Sequence, residues 1–124
     1  MRVVSRVKIC VDNKCKEVDA LFDTGSTYSY VSKEVADELG YKSYSEEVYL
    51  ATEDAKVDII GIVSDAKVFV DGCKLPWVHD FGVIDGLKYD AIIGLDIIEL
   101  CDIVLDLKKG RAYPRECPPK IILI

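Results

Sequence analysis

The sequence has no apolar run long enough to cross a membrane, which takes roughly 18 residues or more in a helix. Its longest apolar candidate, residues 91–107, is interrupted by Asp96, Glu99, Asp102 and Asp106. The first eight residues also lack the continuous apolar core of a signal peptide. We therefore predict a cytoplasmic protein that has no membrane partner.

Basic residues are scarce. The chain carries 16 Lys and Arg against 22 Asp and Glu, a formal net charge of -6. Nucleic acids are bound chiefly by basic surfaces that neutralise phosphates. The charge balance therefore argues against a nucleic acid partner.

Metal-ligand spacings are also missing. The five cysteines include no C-x-x-C pair, and His79 is the single histidine. A zinc site needs four ligands at characteristic spacings, so we expect no metal and no other cofactor. Cys10 and Cys15 would face each other across a two-residue turn, where a disulfide is geometrically possible. Because an ordinary cytosol keeps thiols reduced, with hyperthermophiles as the exception, we favour plain thiols.

Most of the sequence consists of short alternating segments separated by turns. The predicted strands span residues 2–11, 14–22, 28–31, 48–51, 56–63, 65–70, 74–84, 90–93, 103–107 and 111–113. One helix is expected between an N-cap at Ser32 and Gly40, and a shorter one from a cap at Asp96 through Leu100. Trp77 is expected in the core. This pattern predicts one all-β, barrel-like domain.

The most informative segment is Asp23-Thr24-Gly25-Ser26, which directly follows an apolar strand. A carboxylate at the end of a buried strand is costly, and catalysis is a common reason to accept that cost. The Gly25 amide is expected to approach the Asp23 carboxylate. The Thr24 hydroxyl is expected to form a hydrogen bond across the two-fold axis of a dimer. Ser26 is expected to form a hydrogen bond with the outer oxygen of the Asp23 carboxylate.

A second apolar segment, Ile92-Ile93-Gly94, supplies a wall beside such a carboxylate. A low-polarity wall strengthens the electrostatic contacts made next to it. Peptide hydrolysis by carboxylates takes two of them sharing a proton, one acting as base on water and the other as acid. Because the chain has one Asp-Thr-Gly, the second must come from a second copy related by two-fold symmetry.

Together, residues 20–27 and 91–94 resemble the retropepsin family of single-domain, dimeric aspartic proteases. Gly94-Leu95-Asp96 and residues 106–109 are more similar to its cellular branch, as in the protease domain of eukaryotic DNA-damage-inducible ubiquitin-shuttle proteins. The resemblance implies a closed β-barrel homodimer over residues 1–113, with one or two short helices. It also implies that Asp23 is catalytic on a peptide or protein substrate.

The same resemblance places a flap over the substrate at the hairpin formed by Thr52, Glu53, Asp54 and Ala55. Residues 114–124 form a tail whose apolar end is expected to be a strand of the dimer interface. Viral members carry an Arg after the second-motif Gly and an acid four residues past the catalytic Asp. Here Leu95 and Thr27 occupy those positions, and the flap tip is charged rather than Gly-rich.

Two other interpretations remain open at this stage. Asp23-Thr24-Gly25 is also compatible with an ordinary turn after a strand, because Asp and Gly both favour turns. The alternative function is a non-catalytic dimeric β-barrel of the retropepsin type that binds extended peptides by adding them as a strand.

Overall fold

The structure, a computed structural model, describes residues 1–49 and 56–121. These residues form ten strands and two short helices. In chain order the elements are β1 (Arg2–Val11), β2 (Lys14–Asp23), β3 (Tyr30–Ser32), α1 (Lys33–Leu39), β4 (Lys42–Tyr49), β5 (Lys56–Val70), β6 (Cys73–Lys74), β7 (His79–Ile84), β8 (Ala91–Ile93), α2 (Leu95–Ile98), β9 (Ile103–Asp106) and β10 (Arg111–Pro114).

Six of the strands close into a barrel in the order β1, β2, β8, β3, β7 and β5. The closure is the antiparallel pairing of β1 with β5, in which Val7 faces Val70 and Ile9 faces Val68. β4 and β6 extend the sheet beside β5, and β9 with β10 forms a separate two-stranded sheet. The predicted all-β barrel with short helices is confirmed.

The barrel interior is filled by side chains that alternate along the strands. Successive residues of a strand point to opposite faces, and on β2 the residues Val18, Ala20 and Phe22 are fully buried. The same core contains Ile9, Leu75, Phe81, Ile93 and Ile97. This alternation leaves Asp23, the last residue of β2, on the face opposite to Phe22 and outside the packed interior.

The first hairpin has the predicted register, with Val11 facing Lys14 and Cys10 facing Cys15. Asp12 adopts a left-handed conformation with φ of 52° in the two-residue turn. The expectation of plain thiols is wrong. Cys10 and Cys15 form a disulfide, and their Cα atoms lie 4.0 Å apart. A second disulfide joins Cys73 of β6 to Cys117.

The middle of the chain departs from the predicted strand boundaries. The segments predicted at 56–63 and 65–70 are one strand, β5, whose pairing with β7 is interrupted by a bulge between Val63 and Ala66. Asp65, at this bulge, has a positive φ of 57°. The segment predicted at 74–84 is instead split between β6 and β7. Trp77, in the loop that splits it, is 60% exposed with a positive φ of 62°, so its expected core position is wrong.

Both predicted helices are present, but α2 ends at Ile98 rather than at Leu100, and one of the two caps is wrong. The Ser32 side chain accepts a hydrogen bond from the Val35 amide, which confirms the predicted N-cap of α1. In α2 the N-cap is Gly94 and Asp96 lies within the first turn, so the predicted Asp96 cap is wrong. Asp96 is displaced from that role because its side chain contacts Ser29 instead.

Smaller differences concern strand ends. β3 begins at Tyr30 rather than at residue 28, and β4 begins at Lys42, earlier than the predicted segment at 48–51. β9 ends at Asp106, which leaves Leu107 exposed. The flap prediction at residues 52–55 and the last three residues of the tail lie outside the described residues. No helix within the described ranges has the length and hydropathy needed to span a membrane.

The Ser32 cap yields a stability prediction. Ser32→Ala removes the acceptor for the Val35 amide, and losing such a cap costs about 1 kcal/mol of unfolding free energy. Urea denaturation followed by circular dichroism measures the change. Ser64→Ala, an exposed serine on β5, is the matched control and should change the value by less than about 0.5 kcal/mol. Equal stability of Ser32→Ala and wild type would contradict the role of this cap.

Candidate active site

Asp23 stands at the end of β2 with its side chain 23% exposed. The Gly25 amide donates to its Oδ1 atom over 2.9 Å, which confirms the expected approach of that amide. The backbone is held in the same turn by the Ser26 amide, which donates to the Asp23 carbonyl over 3.1 Å. The turn therefore holds the Asp23 carboxylate in place at an accessible position.

Arg2 is the cross-strand neighbour of Asp23. The β1–β2 register sets these two residues opposite each other, and the Arg2 Nε atom lies 3.5 Å from Asp23 Oδ2. The two carboxylate oxygens therefore have different partners, an amide on Oδ1 and a guanidinium on Oδ2. Sequence reasoning missed Arg2, although the hairpin register already placed it there.

Thr24 and Ser26 contact the backbone in this single chain. The Thr24 amide and hydroxyl both donate to the Met1 carbonyl, over 3.1 and 3.3 Å. The Ser26 hydroxyl donates to the Tyr28 carbonyl over 2.7 Å, rather than to the Asp23 carboxylate as expected. Both side chains thus fix the path of the loop that carries the carboxylate. The bond of Thr24 across a dimer axis stays a prediction.

The second motif lies directly beside the first. β8 runs parallel to β2, with Leu21 facing Ile92 and Phe22 facing Ile93. Ile93 is buried in the barrel core, whereas Ile92 is partly exposed on the opposite face, which is the face of Asp23. The predicted wall is therefore formed in part by Ile92, while Ile93 contributes to packing.

Gly94 allows the segment after β8 to approach the Asp23 loop closely. A Cβ atom at this position would lie 2.7 Å from the Ser26 carbonyl oxygen and closer still to that of Tyr28. The amides that follow use this proximity. Leu95 donates to the Ser26 carbonyl over 2.8 Å, and Asp96 donates to that of Thr27 over 3.1 Å. The two segments are thus joined through the backbone at the positions where viral relatives carry an ion pair.

Ser29 is a further structural residue that sequence reasoning missed. It is almost fully buried, and its hydroxyl accepts from the Gly94 amide over 2.9 Å and donates to Asp96 Oδ1 over 2.7 Å. A buried hydroxyl that both donates and accepts is fully used, and its loss would leave two polar groups without a partner. Ser29 therefore connects the chain after Asp23 to the first turn of α2.

Cysteine chemistry does not fit this site. Cys101, the free thiol, is buried, and burial raises its pKa to about 11, with a further contribution from the negative charge of Asp96. A thiol with such a pKa is uncharged at neutral pH and a poor nucleophile. His79 is also buried, and its Nε2 lies 3.0 Å from the Pro76 carbonyl. Among the residues described, no cluster of His, Cys, Asp or Glu is arranged to hold a metal ion.

Comparison with known proteins agrees with this geometry. The sequence profile of the family described as aspartyl protease matches residues 7–97, which contain both motifs. The chain belongs to this aspartyl protease family. The structure also matches the retroviral protease-like domain of Ddi1 from Leishmania major, with a TM-score of 0.66 over 98% of this chain and 95% of that one. The two sequences are 21% identical. No curated protein gives a significant match to the sequence.

These findings confirm the predicted retropepsin-like aspartic protease family. At 21% identity the structural match establishes the fold, whereas the family assignment rests on the profile match across the two motifs. Asp23-Thr24-Gly25 lies within the matched residues, and its carboxylate is accessible and has an amide donor.

The close approach at Gly94 yields a testable prediction. Gly94→Ala would force a methyl group against two backbone oxygens that have no freedom to rotate away. Such overpacking costs about 1–3 kcal/mol, and it displaces the Asp23 loop. We expect a lower midpoint in urea and weaker binding of a statine-type transition-state mimic.

The control for this variant is Gly72→Ala. Gly72 has a φ of 75°, but a Cβ atom there meets nothing within 4 Å. That substitution carries conformational strain of about 1–2 kcal/mol without crowding, and it should leave binding of the mimic to the folded protein unaltered. If Gly94→Ala bound the mimic as tightly as wild type does, the contact between the two motifs would have no bearing on the site.

Proposed function

We propose that the chain is an aspartic endopeptidase that acts as a homodimer and pairs Asp23 with the same residue of a second copy. The observation that carries the proposal is an accessible Asp23 carboxylate with an amide on one oxygen, in a family of aspartyl proteases. The chemistry requires no organic cofactor. The substrate would be an extended peptide or a protein segment.

In the proposed mechanism the two Asp23 carboxylates share one proton, because two carboxyl groups in direct contact do not both ionise. The ionised member removes a proton from a water molecule, which attacks the scissile carbonyl. The protonated member donates its proton to the carbonyl oxygen as the tetrahedral intermediate forms. The Gly25 amide contributes by stabilising the charged oxygen of its own Asp23.

A second copy is needed because a single chain supplies one such carboxylate. The face that a partner would cover is partly apolar. Val4 is 45% exposed and faces Leu21 across the hairpin, on the same side as Arg2 and Asp23. An exposed valine beside the proposed catalytic residue is consistent with burial in a dimer, which would stabilise association by about 25 cal/mol for each Å² of apolar surface.

The assignments of tail and compartment stay proposals. The described part of the tail, residues 114–121, is anchored by the Cys73–Cys117 disulfide and by Arg115, whose amide donates to the Asp102 carbonyl. We retain its apolar end as a candidate interface strand.

Disulfides persist in oxidising compartments and in the cytoplasm of hyperthermophiles. The predicted cytoplasmic location is therefore compatible with the two disulfides in an organism of the latter kind.

The catalytic assignment is tested by Asp23→Asn. Asparagine keeps the size of the side chain but removes the shared-proton chemistry, so peptide cleavage should fall to background while the fold is retained. Asp19→Asn is the matched control, because Asp19 lies on the same strand and pairs with Arg6 in the same cross-strand manner. Cleavage of a fluorogenic peptide library measures both variants.

The outcomes separate the two functions considered. Equal activity of Asp23→Asn and wild type would remove the protease assignment. A wild-type dimer that binds peptides but never cleaves them would instead support the non-catalytic peptide-binding barrel.

The dimer is tested by concentration and by the exposed valine. Specific activity should fall on dilution below the dimer dissociation constant, because half a dyad does not catalyse. Val4→Asp places a charge on the proposed interface and should shift the chain to monomer with a parallel loss of activity. Ser64→Asp adds the same charge on an exposed β5 position and should alter neither. Analytical ultracentrifugation measures the state, and an active wild-type monomer would contradict the shared dyad.

A further inference from the structure

A cleft of about 500 Å³ opens beside the segment that follows the Asp23 loop. Tyr28 forms part of its wall, and the carbonyl of the same residue accepts the Ser26 hydroxyl of the active-site loop. The remaining wall comes from β3, β4, β5, the start of β7 with the residue before it, and the first turn of α2. It includes Tyr30, Tyr44, Ile59, Val78, Asp80, Gly82 and Asp96. Tyr28 therefore links one wall of the cleft to the proposed catalytic loop.

The charge of this cleft has one sign. Asp80 and Asp96 both line it, and no Lys or Arg is among its described lining residues. His79 also lines the cleft, but its Nε2 atom lies 3.0 Å from the Pro76 carbonyl oxygen and is therefore already in a hydrogen bond. Within the described part of the chain neither carboxylate takes part in an ion pair, although Asp19, Asp23, Asp37, Asp71 and Asp102 all do.

Both carboxylates are held in place through one oxygen each. Asp80 Oδ1 accepts from the Asp65 amide over 3.0 Å, at the bulge where β5 departs from regular pairing. Asp96 Oδ1 accepts from the Ser29 hydroxyl over 2.7 Å. Among the described residues no donor is seen on the Oδ2 atom of either carboxylate, and because each is already held through Oδ1, neither side chain has to be ordered when a ligand binds. Ordering a side chain on binding would cost about 0.5–1.5 kcal/mol.

The remaining surface of the cleft is aromatic and apolar. Tyr28 is 64% exposed, and Tyr44 and Val78 are also among the exposed large side chains of the molecule. All three line this cleft. Aromatic faces attract cations, and apolar walls accommodate the methylene stem of a long basic side chain while its charged end meets a carboxylate. An acidic or purely aliphatic side chain would leave one of these two features unused.

We propose that the cleft is a specificity subsite that takes a lysine or arginine side chain of the substrate peptide. The inference rests on the proposed peptidase function and specifies its substrate class. Tyr28 and Tyr44 contact the stem and the face of the cation, and Asp80 and Asp96 accept its hydrogen bonds. The net charge of -6 attracts such peptides at long range.

The test uses matched peptides that differ at one position in carrying arginine or citrulline, which has nearly the same shape without the charge. The position is moved along the peptide on both sides of the scissile bond. We expect kcat/KM to be about tenfold higher for arginine than for citrulline at one position. A factor of this size corresponds to the interaction energy of a partly desolvated cation with aromatic and acidic groups. This ratio should shrink as sodium chloride is added, because salt screens exposed charges.

Variants assign the preference to the cleft. In the Asp80→Asn, Asp96→Asn double variant the arginine-to-citrulline ratio should approach one. Asparagine at 96 keeps an oxygen for the Ser29 hydroxyl, and if the double variant fails to fold, Asp80→Asn alone should reduce the ratio about threefold. Glu17→Gln removes the same charge from an exposed site on β2 and should keep the wild-type ratio.

Binding to the Asp23→Asn protein separates this inference from the proposed peptidase. Cleavage of both peptides at equal rates at every position would overturn the subsite and leave the peptidase standing. If wild type cleaves neither peptide, the peptidase fails, and calorimetry decides the subsite. Tighter binding of arginine that the Asp80 and Asp96 substitutions abolish would support it, and equal dissociation constants would overturn it.

Discussion

The parallel pairing of β2 with β8 is the constraint on which the rest of the site depends. It brings together two segments that are far apart in the sequence, with Phe22 facing Ile93 one residue before Asp23. Parallel strands need a long connection, and here that connection supplies α1 and three of the six barrel strands. Once the pair has formed, Gly94 has to pass the Asp23 loop at backbone contact distance, and only a residue without a side chain fits there.

The pairing also explains how polar groups near the site are satisfied. Ser29, Gly94 and Asp96 are buried or half-buried by the approach of α2 to the loop, and each finds its partner within that small set. Hydrogen bonds of this kind contribute about 1 kcal/mol each when made, but leaving a buried group unpaired costs more. The main effect of these hydrogen bonds is therefore to destabilise other arrangements of the loop, in which a buried polar group would be left unpaired.

How much the sequence predicts depends on how local the determining interaction is. The two-residue turn at Asp12-Asn13 determines the register of its hairpin, so the position of Cys10 opposite Cys15 was predictable from neighbouring residues. The Ser32 cap was predictable for the same kind of reason, because it depends on the first turn of its own helix. The bend of β5 at Asp65 was not, because it depends on Asp80 of another strand. The Cys73–Cys117 disulfide likewise depends on where the barrel brings the chain after β10.

At the candidate site the same division holds. Asp23, Gly25 and the second motif are visible in the sequence because their chemistry requires particular residue types in a fixed order. Ser29 is an ordinary polar residue that no local pattern marks, and Asp96 was noticed in the sequence but given the wrong role, because the contact between the two is tertiary. Arg2 is an intermediate case, since the hairpin register that aligns Cys10 with Cys15 also aligns Arg2 with Asp23.

Electrostatics links this arginine to assembly. Two chains of charge -6 repel each other, although salt screens exposed charges beyond about 8 Å at physiological ionic strength. Dissolved salt would not screen the repulsion between two Asp23 carboxylates in direct contact, so groups beside them would have to compensate for it. In the proposed dyad a shared proton would remove one negative charge, and Arg2 sets a positive charge 3.5 Å from Asp23 Oδ2 in each chain. A dimer of the proposed kind would therefore bring one compensating cation with each Asp23.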